Sequence, residues 1–182
     1  MKFTRRAGLA GATLGAAAIL ATTAALATTT ASAAPATSAI PQCISGNMRV
    51  WTGSPGDGFA GGVVWQIEIS NIGHHTCRLF GYPGVSAVNN SGHQVGLPAD
   101  HNGARVLVTI PAGGTAHVVL TATDPSNVCG SHQVHGSSLR VFAPGQFHSE
   151  ITPFSVSVCA HSVTLHVDAV HAGAGVPGFS GS

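Results

Sequence analysis

Apolar and polar residues alternate with period two along most of this chain, and that pattern restricts the fold more than any other feature. In Val63-Val64-Trp65-Gln66-Ile67-Glu68-Ile69-Ser70 the odd positions are apolar, while Gln66, Glu68 and Ser70 face the other way. Successive side chains of a strand point to opposite faces, so the pattern spells a strand with one buried face. It recurs four times. Val106, Val108 and Ile110 share a face, as do Ala116, Val118, Leu120 and Ala122. Leu139, Val141 and Ala143 share a face, with Phe142 on the Arg140 side. Val163, Leu165, Val167 and Ala169 point inward, with Thr164, His166 and Asp168 outward. No segment carries a convincing helical period. Turn signals punctuate the strands at 53–58 (Gly-Ser-Pro-Gly-Asp-Gly), 89–92, 111–114 and 143–145. Many short strands with one buried face predict an all-β chain, an antiparallel immunoglobulin-like β-sandwich.

The first 33 residues are expected to stand outside that fold. Lys2, Arg5 and Arg6 lead into an apolar stretch from Ala7 to about Ala27, then into Ala31-Ser32-Ala33. A basic start, an apolar middle and a small-x-small site make a secretory signal peptide, cut after Ala33. Only Leu9, Leu14, Ile19, Leu20 and Leu26 are large aliphatics, which suits a membrane anchor poorly. Arg5-Arg6 also allows a twin-arginine signal, although Ala7 and Gly8 stand where a large apolar residue is expected. Gln42 before Cys43 argues against a lipidated cysteine. The expected division is a signal peptide at 1–33, a flexible leader at 34–42, a secreted sandwich at 43–170 and a disordered tail at 171–182, with no membrane contact after cleavage.

Removing 33 of 182 residues leaves 149. Those keep four Arg, no Lys and six acids, a net charge of −2 with His neutral. Four scattered arginines make no basic stripe, and the glycine-rich stretches do not open helices. Nucleic-acid and phosphate sites are therefore excluded as expectations. All 11 His lie in this part, so full protonation with the acids still ionised would carry the charge from −2 to +9. Such a composition predicts acid-dependent adsorption to anionic surfaces.

An even number of cysteines in an exported chain implies disulfides. Cys43, Cys77, Cys129 and Cys159 are 34, 52 and 30 residues apart, without the close pairs of a four-cysteine metal site. Three pairings are open. Pairing 43–77 with 129–159 is favoured, because Cys43 is read as opening a first strand and Cys77 as following the end of a second. Each bridge would contribute roughly 3.5–4 kcal/mol on the chain-entropy estimate.

One stretch is more specific. Asn71-Ile72-Gly73-His74-His75-Thr76-Cys77-Arg78-Leu79-Phe80-Gly81-Tyr82-Pro83-Gly84-Val85 carries T-C-x-L-x-G-Y-P-G-V. Gly92-His93-Gln94-Val95-Gly96, the run from Val106 to Ala116, Cys129, the segment from Leu139 to Pro144 and Cys159 follow in order. This series resembles a family of secreted actinobacterial domains of unknown function. The resemblance covers roughly residues 43–170. It implies export, a sandwich and disulfides, and it transfers no catalytic residue. Physically, Gly81, Tyr82, Pro83 and Gly84 read as architecture: Pro fixes φ, Gly admits positive φ, and Tyr82 is expected to pack its ring and bond its hydroxyl to backbone.

Chemistry is sparse. His132 and His135 in a loop, with His166 and Asp168 two apart on the last strand, are the weak metal candidates; there is no H-x-H and no H-E-x-x-H. No nucleophile elbow or paired carboxylates stand out, so no catalytic residue is named and no cofactor is expected. Asp57 reads as a turn residue. Trp51 is the candidate binding aromatic, and Trp65 reads as core. Two readings follow. The first is a non-catalytic extracellular module binding a cell-wall polymer, a small ligand or an extracellular protein. The second is a secreted enzyme or metal-binding protein using some of its histidines.

Overall fold

The computed structural model describes residues 39–53 and 58–175. The expected signal peptide, most of the leader, Asp57 and the last seven residues of the tail lie outside the described residues. The strands are β1 (Met48–Thr52), β2 (Gly58–Phe59), β3 (Gly62–Asn71), β4 (Cys77–Phe80), β5 (Gly84–Val88), β6 (Asp100–Asn102), β7 (Leu107–Ile110) and β8 (Thr115–Thr123). After a single helical turn, α1 (Ser126–Cys129), come β9 (Gln133–Phe142), β10 (Ser149–Cys159), β11 (Leu165–Asp168) and β12 (His171–Ala172).

The larger sheet runs β1-β3-β8-β11-β6, with β2 added to β3 and β12 to β8. A three-stranded sheet runs β10-β9-β5, and β4 pairs β7. Pairing is antiparallel throughout except between β11 and β6, which is parallel. The register sets the faces. Trp65 lies opposite Leu120, Ile67 opposite Val118 and Ile69 opposite Ala116. These join Leu79, Val85, Ile110, Leu139, Val141, Leu165 and Val167 in one buried apolar cluster drawing on all three sheets. β8 shows the cleanest alternation, with Ala116, Val118, Leu120 and Ala122 buried and the residues between them half-buried.

Both expected disulfides are present, Cys43–Cys77 and Cys129–Cys159. The reason given for the first pairing needs correcting. Cys77 opens β4, and Cys43 precedes β1 altogether. Cys43 reaches Cys77 because residues 41–43 run beside β4: Arg78 N donates to Pro41 O, Cys43 N donates to Arg78 O, and Gln42 bridges Arg78 in parallel. The end of the expected flexible leader is thus held by backbone bonds.

Three other expectations change. Val106 is 43% exposed and precedes β7, so only Val108 and Ile110 of that trio are core. Thr164, expected outward, is buried. The boundary at 170 is placed too early, because His171 and Ala172 pair with His117 and Ala116. Gly173, at φ 81°, then turns the chain across the outer face of the large sheet. There the His117 Nδ1–H donates to Gly173 O at 2.9 Å, and Gly175 N donates to Glu68 Oε1 at 3.0 Å. A Cβ at Gly175 would lie 2.5 Å from Gln66 Oε1 and 2.7 Å from the His117 ring, so this close crossing requires glycine. Glu68 does face away from the core, yet the crossing segment leaves it 0% exposed.

Candidate functional site

A cleft of about 450 Å³ opens where β3, the end of β8, α1 and β10 meet, lined by Phe59, Trp65, Asp124, Asn127, Ser155 and Ser157 among others. Each wall has a local cause. β2 and β3 form a tight hairpin, with Phe59 opposite Gly62 and Gly61 at φ 96°. At position 62 a Cβ would meet Ala122 O at 2.5 Å and the Phe59 ring at 2.6 Å. Glycine there lets the Phe59 ring lie along the strand, where it stays 47% exposed. Trp65, half-buried, follows on β3 and meets Phe154 edge-on, ring centroids 4.9 Å apart. That contact ties the large sheet to β10 and fixes one wall.

A second part of the lining is built by a side-chain turn. Asp124 N donates to Gly61 O at 2.8 Å, joining the end of β8 to the hairpin. Asp124 Oδ1 accepts from Ser126 N at 2.9 Å and from Ser126 Oγ at 2.7 Å. These two bonds, the hydroxyl's first, hold the carboxyl below the usual carboxylate range. Asp124 is therefore ionised at neutral pH. Asn127 follows on α1, its amide nitrogen 4.0 Å from where a Gly61 Cβ would sit. The third wall comes from β10, whose register with β9 shifts between Pro153 and Val156. Proline offers no N–H to the ladder, and bulges re-aim side chains beside functional sites. Here the irregular stretch carries Ser155 to the cleft, and Ser157, back in register opposite His135, lines it as well.

The residues singled out from sequence are placed elsewhere. Trp51 is half-buried on the outer face of the large sheet and donates from Nε1 to Ser70 Oγ at 3.1 Å. It is no open platform. His132 is exposed just before β9, but His135, expected in the same loop, is exposed on β9 itself, opposite Ser157. His166 lies opposite Asp100 and Asp168 opposite Asn102 across the parallel pair. Among the described residues no three His, Cys, Asp or Glu side chains form a set that could hold a metal ion. His135 Nε2 does lie 3.5 Å from Ser155 Oγ. A serine nucleophile needs its base oriented by a third group. Among the described residues no carboxylate bonds to the His135 ring, so the pair lacks that orienting partner.

The Gly81-Tyr82-Pro83-Gly84 turn anchors a loop. Tyr82 Oη donates to Gly103 O at 2.6 Å, and His101 stacks on the ring with centroids 4.6 Å apart. The guanidinium of Arg105 lies 5.8 Å from the same ring. The positive φ falls at Gly81 (100°); Gly84 opens β5 against the Phe142 side chain, which a Cβ would meet at 3.6 Å.

Sequence reasoning missed Phe59, Asp124, Asn127, Ser155 and Ser157. Two signals were present. Gly61-Gly62 before an alternating strand marks a hairpin with close backbone approach, and Asp124-Pro125-Ser126 is a side-chain turn. Nothing local shows that β10 would meet them.

Among the described residues no helix is long and apolar enough to cross a membrane. No curated protein and no solved structure matches the chain. A family model described as Domain of unknown function (DUF4232) matches residues 43–172. The match takes in both disulfides, the Tyr82 turn and all the residues named for the cleft, and on that span the chain belongs to the DUF4232 family.

Proposed function

We propose that the protein is an exported, non-catalytic binding module that works outside the cell and takes its ligand in the Phe59–Trp65 cleft. The observation that carries this reading is the composition of the cleft. Two aromatic rings, one ionised carboxylate, one amide and two serine hydroxyls converge on a single concavity. Ligand sites combine apolar walls with a few placed polar groups in this way. They also concentrate where a rigid scaffold carries loops and turns. Two disulfides and the signal-like start support an oxidising, extracellular setting. A cell-wall polymer or an extracellular protein is the partner this setting offers.

The test is co-sedimentation of natively exported protein with purified cell wall, comparing the wild type with Asn127→Ala. Asn127 is exposed, so the variant folds. Retention that falls in the variant supports the cleft. Equal retention of both proteins assigns wall binding to another surface, and no retention of either rejects the polymer.

A further inference from the structure

The cleft's lining also discriminates between ligand classes, an argument that rests on the reading of the cleft as the binding site. We infer that it takes an uncharged saccharide, one or two hexose-type rings long. Charge is the first ground. Among the described residues Asp124 is the only ionisable one lining the cleft, and no Lys, Arg or His lines it; His135 Nε2 lies 3.5 Å from the hydroxyl of the lining residue Ser155. Asp124 is ionised at neutral pH, so an anionic ligand would meet repulsion, and no described lining residue is a compensating cation. Phosphate, sulfate and free carboxylate groups are disfavoured at this place.

The second ground is the hydrogen-bonding inventory. Asn127 offers both donors and an acceptor, and Ser155, Ser157 and Thr123 each offer one hydroxyl that donates and accepts. A sugar hydroxyl also does both, so each of its hydroxyls can be matched without a buried unpaired group. An ammonium ion only donates; it would use Asp124 and the acceptor sides of the hydroxyls, and leave the Asn127 Nδ2 donors facing a group that cannot accept.

The third ground is the apolar wall. Phe59 and Trp65 add ring surface to this polar lining. Aromatic faces carry negative charge density and attract the slightly positive C–H edges of an apposed group. A pyranose has such a C–H face and a rim of hydroxyls, which matches a lining that mixes aromatic rings with hydroxyl and amide groups. A volume of about 450 Å³ holds more than one such ring.

Amide-resolved NMR of the full-length exported protein, titrated with N,N′-diacetylchitobiose, tests the inference. Tetramethylammonium and glucuronate are titrated in parallel. The expected result is saturable shifts at Gly61, Gly62, Asn127 and Ser155 with the disaccharide alone. Asn127→Ala should weaken them roughly two- to tenfold, the worth of one hydrogen bond. Trp65→Phe, which keeps a ring, should retain the fold and change the affinity. Preferential saturation of the same residues by tetramethylammonium or glucuronate would overturn the saccharide assignment and leave the cleft as the site. Disaccharide shifts confined to other surfaces, with the cleft residues still, would overturn both. No response to the disaccharide anywhere would overturn the saccharide assignment.

Discussion

The two disulfides pin opposite kinds of structure. Around Cys43–Cys77 the chain is closed by amides. Asn71 Nδ2 shares its two hydrogens among His75 O, Ile110 O and Pro111 O, and its Oδ1 accepts from Gly73 N. Gln146 Nε2 donates to Cys43 O at 2.8 Å, while its Oε1 accepts from Ser45 N at 3.0 Å. Around Cys129–Cys159 the chain is open: α1 buries no residue, and the cleft lies beside it. A depression of about 420 Å³ also exists at the closed end, lined by Gln42, Arg78, Phe80, Leu107 and Gly145. Its volume nearly equals that of the cleft, but its single charge is a cation. Size therefore does not separate the two ends; the chemistry of their walls does. The closed end spends its polar groups on its own backbone, and the open end leaves several of them facing solvent.

That contrast predicts unequal costs for equal cross-links. The bridges close loops of 34 and 30 residues, so the chain-entropy model assigns each nearly the same value, about 3.7 kcal/mol. Cys43 and Cys77 are both buried, whereas Cys129 is only half-buried. Replacing Cys43 and Cys77 by Ala should therefore cost about 4 kcal/mol or more, and the Cys129, Cys159 pair less. Denaturant unfolding of both double variants measures the difference. Equal losses would mean that the two ends differ in appearance and not in packing.

Asn71→Ala probes the closed end without touching a disulfide. Asn71 is 1% exposed and bonded through both ends of its amide. Losing both N–H donors and the acceptor, and leaving carbonyls unpaired, should cost about 2–4 kcal/mol, with ligand binding at the cleft unchanged. Asn71→Asp should recover little, since a carboxylate cannot donate to three carbonyls.

Such contrasts were only partly legible in the sequence. The core was readable because period two is a local property: Ile67, Ile69, Val118 and Leu120 declare their face by spacing alone. The pairing of cysteines was readable for a different reason from the true one, since the parallel contact of residues 41–43 with β4 leaves no pattern. Glu68 reads as a solvated outward residue because the segment that covers it lies over a hundred positions away. The cleft was invisible for the same reason. Phe59, Asp124 and Ser155 come from three separate stretches, and only the packing of β10 on the large sheet through Trp65 and Phe154 brings them together.

The crossing segment offers a smaller effect. Gly175→Val should lift residues 173–175 from the sheet and expose Glu68, at a cost of about 1 kcal/mol for the lost bonds. Faster amide exchange at position 175 than in the wild type, together with an unshifted cleft, is the expected signature. Unchanged exchange at position 175 would show that the contact does not depend on close approach.

The smallest effect is the sharpest test of the comparison, because it uses acid to act on one end alone. The closed end holds itself with Asn71, Gln42 and Gln146, amides that do not titrate. The open end relies on Asp124, whose carboxyl is held low by Ser126. A group whose folded pKa is depressed stabilises the fold above its unfolded value, and that contribution is lost as pH falls through the folded value. The turn at Asp124 should therefore be intact near pH 5 and loosen as pH falls below the ordinary carboxylate range, about 4. Amide exchange at Ser126 and Asn127 should rise over that interval while the Asn71 side-chain amide stays protected. Asp124→Asn should flatten the response, since its amide does not titrate. Ser126→Ala should move the response to higher pH by removing the hydroxyl that contributes most to the shift. Loosening of both ends together in the wild type would show that acid acts on the sandwich as a whole, and the division between a closed and an open end would then fail.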